Sequence, residues 1–220
     1  MNPAPGAPVT HLLYLHGFRS SPQSTKACLV ARWMGEHRPD IVWACPQLAP
    51  SPLEAIGHVE TLITAWPRER MAVVGSSLGG FYATIVAERT SCRAVVLNPA
   101  VDPARDLAGY IGELKMWHGD ESFFFRAEYI DALQEMTPPR LTRPERYFAV
   151  IAKSDELLSW REMSDRYAGC AMRLIDGSDH ALSDFDVYLP QVLAFLGLSA
   201  LPPNESKDDA TKAIAPLPSA

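Results

Sequence analysis

The sequence predicts an α/β fold in which about six parallel strands are flanked by helices. Two observations predict it: short, continuous apolar runs recur along the chain, and segments with helical character lie between them. Apolar runs that are continuous rather than alternating are typical of strands covered by helices on both faces. The chain has 220 residues, of which 47% are hydrophobic. This suits one domain with a sizeable core.

The apolar runs define six predicted strands. They lie at about 11–16, 41–45, 71–75, 94–98, 146–152 and 171–175. Because strands and helices alternate along the chain, we expect a parallel sheet built from right-handed crossovers.

Five helices are predicted from the segments between and after these strands. Ser21 followed by Pro22 is typical of an N-cap and a first helical position. The first predicted helix therefore runs from Pro22 to about His37, and Pro39 prevents its continuation. The other predicted helices cover 52–65, 78–89, 159–168 and 184–197.

One long segment interrupts this alternation within a single predicted domain, residues 1–200. Residues 102–140 are too many for a simple crossover, so we expect a cap-like insertion over a site. Its aromatic residues, Trp117 and Phe124 among them, can line an apolar pocket, or they can only fasten a crossover helix to the sheet. Residues 201–220 are rich in proline, alanine and charge, and are predicted to form a disordered tail.

Composition and charge exclude several functional classes. With 20 basic and 26 acidic residues the net charge is −6, whereas nucleic-acid and anionic-membrane proteins carry basic patches. The first residues lack the pattern of a signal peptide, and no run approaches the ~20 apolar residues of a membrane span. The four cysteines are widely spaced, which favours reduced thiols. We therefore expect a cytoplasmic protein that binds no nucleic acid and has no membrane span.

The segment 71–89 carries the most informative motif. Residues 75–79 read Gly-Ser-Ser-Leu-Gly, a G-x-S-x-G pattern between an apolar strand and an apolar helix. In that context the pattern is typical of a nucleophile elbow, in which the central serine stands on a sharp, strained turn. The motif predicts Ser77 as a nucleophile. Gly75 and Gly79 remove side chains that would collide across the turn.

Two backbone N–H groups are predicted to form an oxyanion hole. Leu78 follows the nucleophile at the start of a helix, where N–H groups are free and the helix dipole favours negative charge. Phe18 follows His16-Gly17 at the end of the first strand, the place that supplies the second donor in this type of site. His16 itself is predicted to shape the loop, because a general base there would break the chain order serine, acid, histidine.

A serine needs a general base, and the base needs an acid that fixes its tautomer. Asp155 and His180 follow the last two predicted strands in the required order, at the sheet edge that also holds Ser77. Asp102, which follows the fourth predicted strand, is an alternative acid, and Glu156 is a minor one. His118 in the insertion is kept as a candidate substrate contact.

Several segments together resemble a known family. The segments LLYLHGFRSSPQSTKA, GSSLGGFYAT, NPAV, the 154–156 turn and the 177–181 turn are similar to the YqiA/YcfP-like esterases, small members of the α/β-hydrolase superfamily. The resemblance covers about 11–198. It implies a compact α/β-hydrolase fold with about six strands and a Ser77–Asp155–His180 triad. At Arg19 the chain departs from the pattern of these relatives, which carry asparagine there, so Arg19 is a candidate pocket residue.

The motifs and the resemblance together predict a carboxylic-ester hydrolase. Such an enzyme cleaves short- to medium-chain esters through an acyl-serine intermediate and needs neither a metal nor an organic cofactor. The substrate is expected to be a small acyl ester or thioester. Three alternatives stay open: an acyl-thioesterase acting on acyl-CoA or a similar substrate, C–C bond hydrolysis on the same scaffold, and a non-catalytic binding protein.

Overall fold

The computed structural model describes residues 7–116 and 122–199. Eight strands lie within them: β1 (His11–Leu15), β2 (Val42–Ala44), β3 (Met71–Ser76), β4 (Arg93–Leu97), β5 (Gly112–Lys115), β6 (Ser122–Phe125), β7 (Tyr147–Ala152) and β8 (Ala171–Ile175). The helices are α1 (Thr25–His37), α2 (Pro52–Ile63), α3 (Leu78–Thr90), α4 (Pro103–Leu107), α5 (Ala127–Glu135), α6 (Trp160–Arg166) and α7 (Phe185–Leu196). Short 3-10 turns cover Arg68–Arg70, Ala108–Tyr110 and Pro144–Arg146.

Six of the strands form one sheet in the order β2-β1-β3-β4-β7-β8, and every neighbouring pair is parallel. The predicted class, about six parallel strands flanked by helices, is confirmed. Parallel strands bring their carboxyl ends to a single sheet edge, so the loops after β1, β3, β4, β7 and β8 meet there. That edge is where the candidate site lies.

The apolar run of the central strand β3 is continuous because both faces of the strand are buried. Val73 points into the core that contains α2 and α3, whereas Ala72 and Val74 point into the core that contains α1 and α7. All six residues of β3 are buried. A strand covered on both faces needs apolar side chains at every position, and an alternating pattern would leave one face polar.

Helix α1 begins later than the Ser21-Pro22 signal predicts. The Ser24 N–H donates to the Ser21 carbonyl, and the Gln23 N–H donates to the Ser21 hydroxyl. The segment is therefore a turn, and the helix starts at Thr25 with Ser24 in the N-cap position. Serine favours both turns and caps because its hydroxyl accepts hydrogen bonds from nearby backbone N–H groups. Here the Ser21 hydroxyl accepts such a bond within a turn and does not cap the helix.

The long insertion contains more than the one or two helices expected from the sequence. Helices α4 and α5 lie in it, and between them β5 and β6 pair as an antiparallel hairpin. None of the described helices is both long and apolar enough to cross a membrane.

Candidate active site

Ser77 occupies a sharp turn between β3 and α3. Its backbone has φ 56° and ψ −122°, a conformation that L-residues rarely adopt. The turn brings α3 so close to β1 that a Cβ on Gly79 would lie 2.0 Å from the Leu15 carbonyl oxygen. Only glycine fits there, which explains the last position of the G-x-S-x-G pattern. The strained turn holds the Ser77 side chain at the carboxyl edge of the sheet.

Three side chains that the sequence places far apart form one hydrogen-bonded chain. The Ser77 Oγ lies 3.0 Å from His180 Nε2, and His180 Nδ1 lies 2.7 Å from Asp155 Oδ2. With its proton on Nδ1, the imidazole donates to the carboxylate and accepts from the hydroxyl. This is the arrangement in which a histidine can remove the serine proton.

The Asp155 carboxylate is held by backbone N–H groups of the loop that follows it. Its Oδ1 accepts the N–H groups of Leu157 and Leu158, both at 2.8 Å. The side chain has no exposed surface, whereas that of His180 is 17% exposed. One carboxylate oxygen is thus saturated by backbone donors while the other faces His180, so the acid cannot rotate away from the imidazole.

Asn98, directly after β4, holds the His180 loop, a role that was not predicted from the sequence. Its buried amide donates to the carbonyls of Asp179 and His180 at 3.0 and 3.1 Å. Its Oδ1 accepts the Ala152 N–H at 2.8 Å. Asn98 thereby joins the end of β7, which leads to Asp155, to the loop of the histidine. The one available signal was its place in the NPAV segment directly after a strand.

The two alternative acids have other contacts. Asp102 caps α4, where its side chain accepts the Arg105 N–H at 3.2 Å. Glu156 accepts the backbone N–H of His180 at 2.9 Å, and it therefore supports the loop rather than the imidazole. Of the three candidate acids, Asp155 alone has a described hydrogen bond to the His180 ring.

Phe18 and Leu78, the residues of the two predicted oxyanion donors, line the same cavity as Ser77. Leu78 is the first residue of α3, so no preceding helical turn accepts its N–H. Gly17 packs against Ser77, and a Cβ on it would lie 3.3 Å from the Ser77 Cβ. His16 is buried, and its ring contacts the Leu48 N–H through Nε2 and the Gly17 carbonyl through Nδ1. These contacts shape the loop that leads to Phe18.

The insertion packs against the loop after β1 through aromatic contacts. The Phe18 ring packs edge-on against Tyr110, Phe123 and Phe125, with centroids 5.7, 6.1 and 5.1 Å apart. Phe124 was predicted to line the pocket, and that prediction is wrong. Because side chains alternate along a strand, Phe124 points away from its two neighbours and is 60% exposed.

A cavity of about 480 Å³ opens beside Ser77 and His180. Phe18, Arg19 and Leu78 line it, as do residues of α4. Arg19 also ties the loop to the hairpin, because its Nε donates to the Lys115 carbonyl at 2.6 Å. The other predicted contacts, Trp117 and His118, lie outside the described residues.

Two charged groups on the cavity wall have perturbed pKa values. Burial lowers the pKa of Lys26 to about 8, although the nearby carboxylates of Asp179 and Asp155 oppose the shift. Burial raises the pKa of Asp106, and its hydrogen bond to Arg105 offsets part of that effect. Lys26 donates to the carbonyl of Ala181, the residue after His180. The Lys26 ammonium therefore contacts the backbone of the residue next to His180.

Comparison with solved structures identifies the fold. Alpha/beta hydrolase domain-containing protein 10 from mouse matches with a TM-score of 0.64 and 14% identity, covering 88% of this chain and 92% of its own. A structure described with LipS and LipT, two metagenome-derived lipolytic enzymes, matches at 0.64 with 20% identity, covering 87% and 94%. The esterase domain of a Rhodothermus marinus protein matches at 0.62 with 18% identity, covering 84% and 85%. The fold is that of the α/β hydrolases.

Comparison with known sequences identifies the family. A UPF0227 protein from Yersinia pseudotuberculosis is 24% identical over 186 residues, which cover 84% of this chain and 97% of the relative. The model of UPF0227, described as an uncharacterised protein family, matches residues 11–197. Since that match spans most of the chain, the protein belongs to UPF0227, the YqiA/YcfP family that its motifs resemble.

Proposed function

We propose that the protein is a serine hydrolase that cleaves carboxylic esters through an acyl-Ser77 intermediate. The observation that carries the proposal is the hydrogen-bonded chain from Ser77 through His180 to Asp155 beside a cavity. The matched esterase and lipolytic structures share the fold and are consistent with this chemistry.

In the acylation step, His180 Nε2 takes the hydroxyl proton as Ser77 Oγ bonds to the substrate carbonyl carbon. The carbonyl π electrons move to oxygen, and the N–H groups of Phe18 and Leu78 bind the resulting oxyanion. When the carbonyl re-forms, the bond to the leaving oxygen breaks and His180 returns its proton to that alcohol. In deacylation, His180 takes a proton from water as the water oxygen bonds to the acyl carbon. When the carbonyl re-forms, the bond to Ser77 Oγ breaks, His180 returns its proton to Ser77, and the carboxylic acid leaves.

Asp155 has an electrostatic and orienting role in this scheme. It stabilises the imidazolium that exists between the two proton transfers, and it keeps the Nδ1–H tautomer in place. The two backbone N–H bonds to its Oδ1 fix its position before any substrate binds. Such preorganisation means that little rearrangement is needed as charge develops.

The cavity limits the size of the acyl group. Its volume of about 480 Å³ falls within the range of small-molecule sites. Leu107 and Tyr110 of the insertion line it together with Leu157 and Leu158, which gives an apolar wall. We therefore propose short- to medium-chain acyl esters as substrates.

The test is hydrolysis of p-nitrophenyl esters, from acetate to octanoate, by wild type, Ser77→Ala and Ser76→Ala. Removing the nucleophile should lower kcat by ~10⁴-fold or more. Ser76→Ala is the matched control, because it removes a neighbouring hydroxyl that no described hydrogen bond joins to His180. Equal hydrolysis by wild type and Ser77→Ala, or a loss confined to Ser76→Ala, would refute the assignment of Ser77.

A further inference from the structure

Part of the cavity wall carries hydrogen-bond donors that the proposed chemistry does not use. Tyr14 on β1 lines the cavity, as do Ser24, Thr25 and Lys26 at the start of α1. The other wall, from α4 and the loop after β7, is largely apolar. A wall that concentrates hydrogen-bond donors beside a nucleophile suits a substrate group that accepts hydrogen bonds.

The Tyr14 hydroxyl is the strongest sign of a binding site on this wall. Tyr14 is 0% exposed, and its hydroxyl is the one buried side-chain polar atom among the described residues that has no hydrogen-bond partner. Leaving a buried hydroxyl unpaired is destabilising, because the group loses its hydrogen bonds to water and gains none in return, so such groups are rare. Burial raises the pKa of this phenol, which therefore stays a neutral donor.

The start of α1 supplies the second set of donors. Ser24 is its N-cap but forms no side-chain cap with the described residues, and no acidic residue lies in the first turn. The first N–H groups of a helix have no intrahelical acceptor, and together with the helix dipole they favour an anion. Lys26 adds an ammonium group, which donates one hydrogen bond to the Ala181 carbonyl.

We propose that this wall, formed by Tyr14, the start of α1 and Lys26, binds a carboxylate of the substrate. The proposal rests on the proposed function and deepens it: the preferred substrates are esters that carry a free carboxylate near the scissile bond. This wall belongs to the same cavity as the triad, because Lys26 bonds to the Ala181 carbonyl and both residues line the cavity with Ser77 and His180. The apolar wall then receives the uncharged part of the same molecule.

The first test compares charged and neutral esters of matched length by pH-stat. Monomethyl succinate, glutarate and adipate are measured against methyl butanoate, pentanoate and hexanoate. Acetoxypropanoate against propyl acetate places the carboxylate on the alcohol side. One charge-assisted hydrogen bond should raise kcat/KM for the charged member of the favoured pair by about 10-fold or more. The pair that responds identifies the side on which the carboxylate lies.

Two variants locate the effect. Tyr14→Phe removes only the hydroxyl, and because that hydroxyl is unpaired the protein should fold as well as wild type. Lys26→Met keeps most of the apolar stem and removes the charge. Each should lower the charged-to-neutral ratio by about 5-fold or more. The matched controls are Tyr167→Phe, a buried tyrosine outside the cavity, and Arg89→Met, a cation from an exposed ion pair.

The preference should also depend on pH. Because burial lowers the pKa of Lys26 to about 8, its ammonium is present below pH 8 and is lost above it. The charged-to-neutral ratio should therefore fall as pH rises through about 8. The charged groups that act on Lys26 are the carboxylates of Asp179 and Asp155. Their effect on catalysis is common to both esters and cancels in the ratio.

The outcomes separate this proposal from the proposed function. Hydrolysis of neutral and charged esters at equal rates, or a ratio that Tyr14→Phe leaves unchanged, overturns the carboxylate site and leaves the serine hydrolase standing. If no ester is hydrolysed, calorimetry of monomethyl adipate with Ser77→Ala still decides the site. Binding that weakens when Tyr14→Phe is added supports the proposal, and absence of binding overturns it.

Discussion

Replacing Asn98 by aspartate should lower activity by displacing the loop that carries His180, although Asn98 does not line the described cavity. The change keeps the size of the side chain and the acceptor for the Ala152 N–H, but it replaces the two donor bonds to Asp179 and His180 by a carboxylate oxygen. Two bonds of ~1 kcal/mol each are lost, and a buried anion now faces two carbonyl oxygens. We expect the free energy of unfolding at neutral pH to fall by about 3 kcal/mol.

The kinetic effect should fall on kcat. Displacement of the His180 carbonyl moves the imidazole, and a shift of about 1 Å in a reacting group costs about 10²-fold. Asn98 is not among the described residues that line the cavity, so KM should change little. Burial raises the pKa of the new carboxyl, and its protonated form regains one donor, so the loss should be smallest at low pH.

The assay is ester hydrolysis against pH, paired with urea unfolding. Thr84→Val is the control, because it removes a buried hydrogen bond to Tyr167 without touching the His180 loop. It should lower stability while kcat stays near wild type. A wild-type kcat in Asn98→Asp would show that Asn98 does not position His180. An equal loss of kcat in Thr84→Val would show that the effect of Asn98→Asp comes from lower stability and not from the position of His180.

Two further changes test the acid and the turn. Asp155→Asn should lower kcat by ~10³-fold or more, because the amide stabilises the wrong His180 tautomer; a loss below 10-fold in kinetic measurements would contradict its role. Gly79→Ala should lower the urea midpoint strongly, since its Cβ would overlap a carbonyl oxygen at 2.0 Å. Gly57→Ala, in the open middle of α2, should instead stabilise the protein by about 0.5–1 kcal/mol. Equal midpoints for these two variants would refute the packing argument.

Most of the fold could be predicted because its strands are buried on both faces. In β3 and β7 every residue is buried, so the apolar runs mark the strands within a residue or two. The start of α1 was less predictable, because Ser21 and Ser24 both suit an N-cap and only the turn geometry distinguishes them. Sequence order alone also placed Ser77, Asp155 and His180 at one sheet edge, and in the structure they are hydrogen-bonded.

The parts that sequence could not supply depend on tertiary contacts. Three consecutive phenylalanines in β6 give no alternating pattern, so neither the hairpin nor the outward side of Phe124 was evident. Asn98 bonds to Asp179 and His180, which follow it by 81 and 82 positions in the chain. Local sequence patterns do not indicate contacts at such a separation. The cytoplasmic location, the role of Trp117 and the nature of residues 201–220 stay predictions.

The most direct test of the central claim is covalent labelling by a fluorophosphonate, read by intact mass and peptide mapping. The account predicts one adduct, on Ser77, that is absent in Ser77→Ala and much slower to form in His180→Ala, because the base activates the hydroxyl. Ser76→Ala should label normally. A folded wild-type protein that stays unlabelled, or an adduct on any residue other than Ser77, would contradict the account.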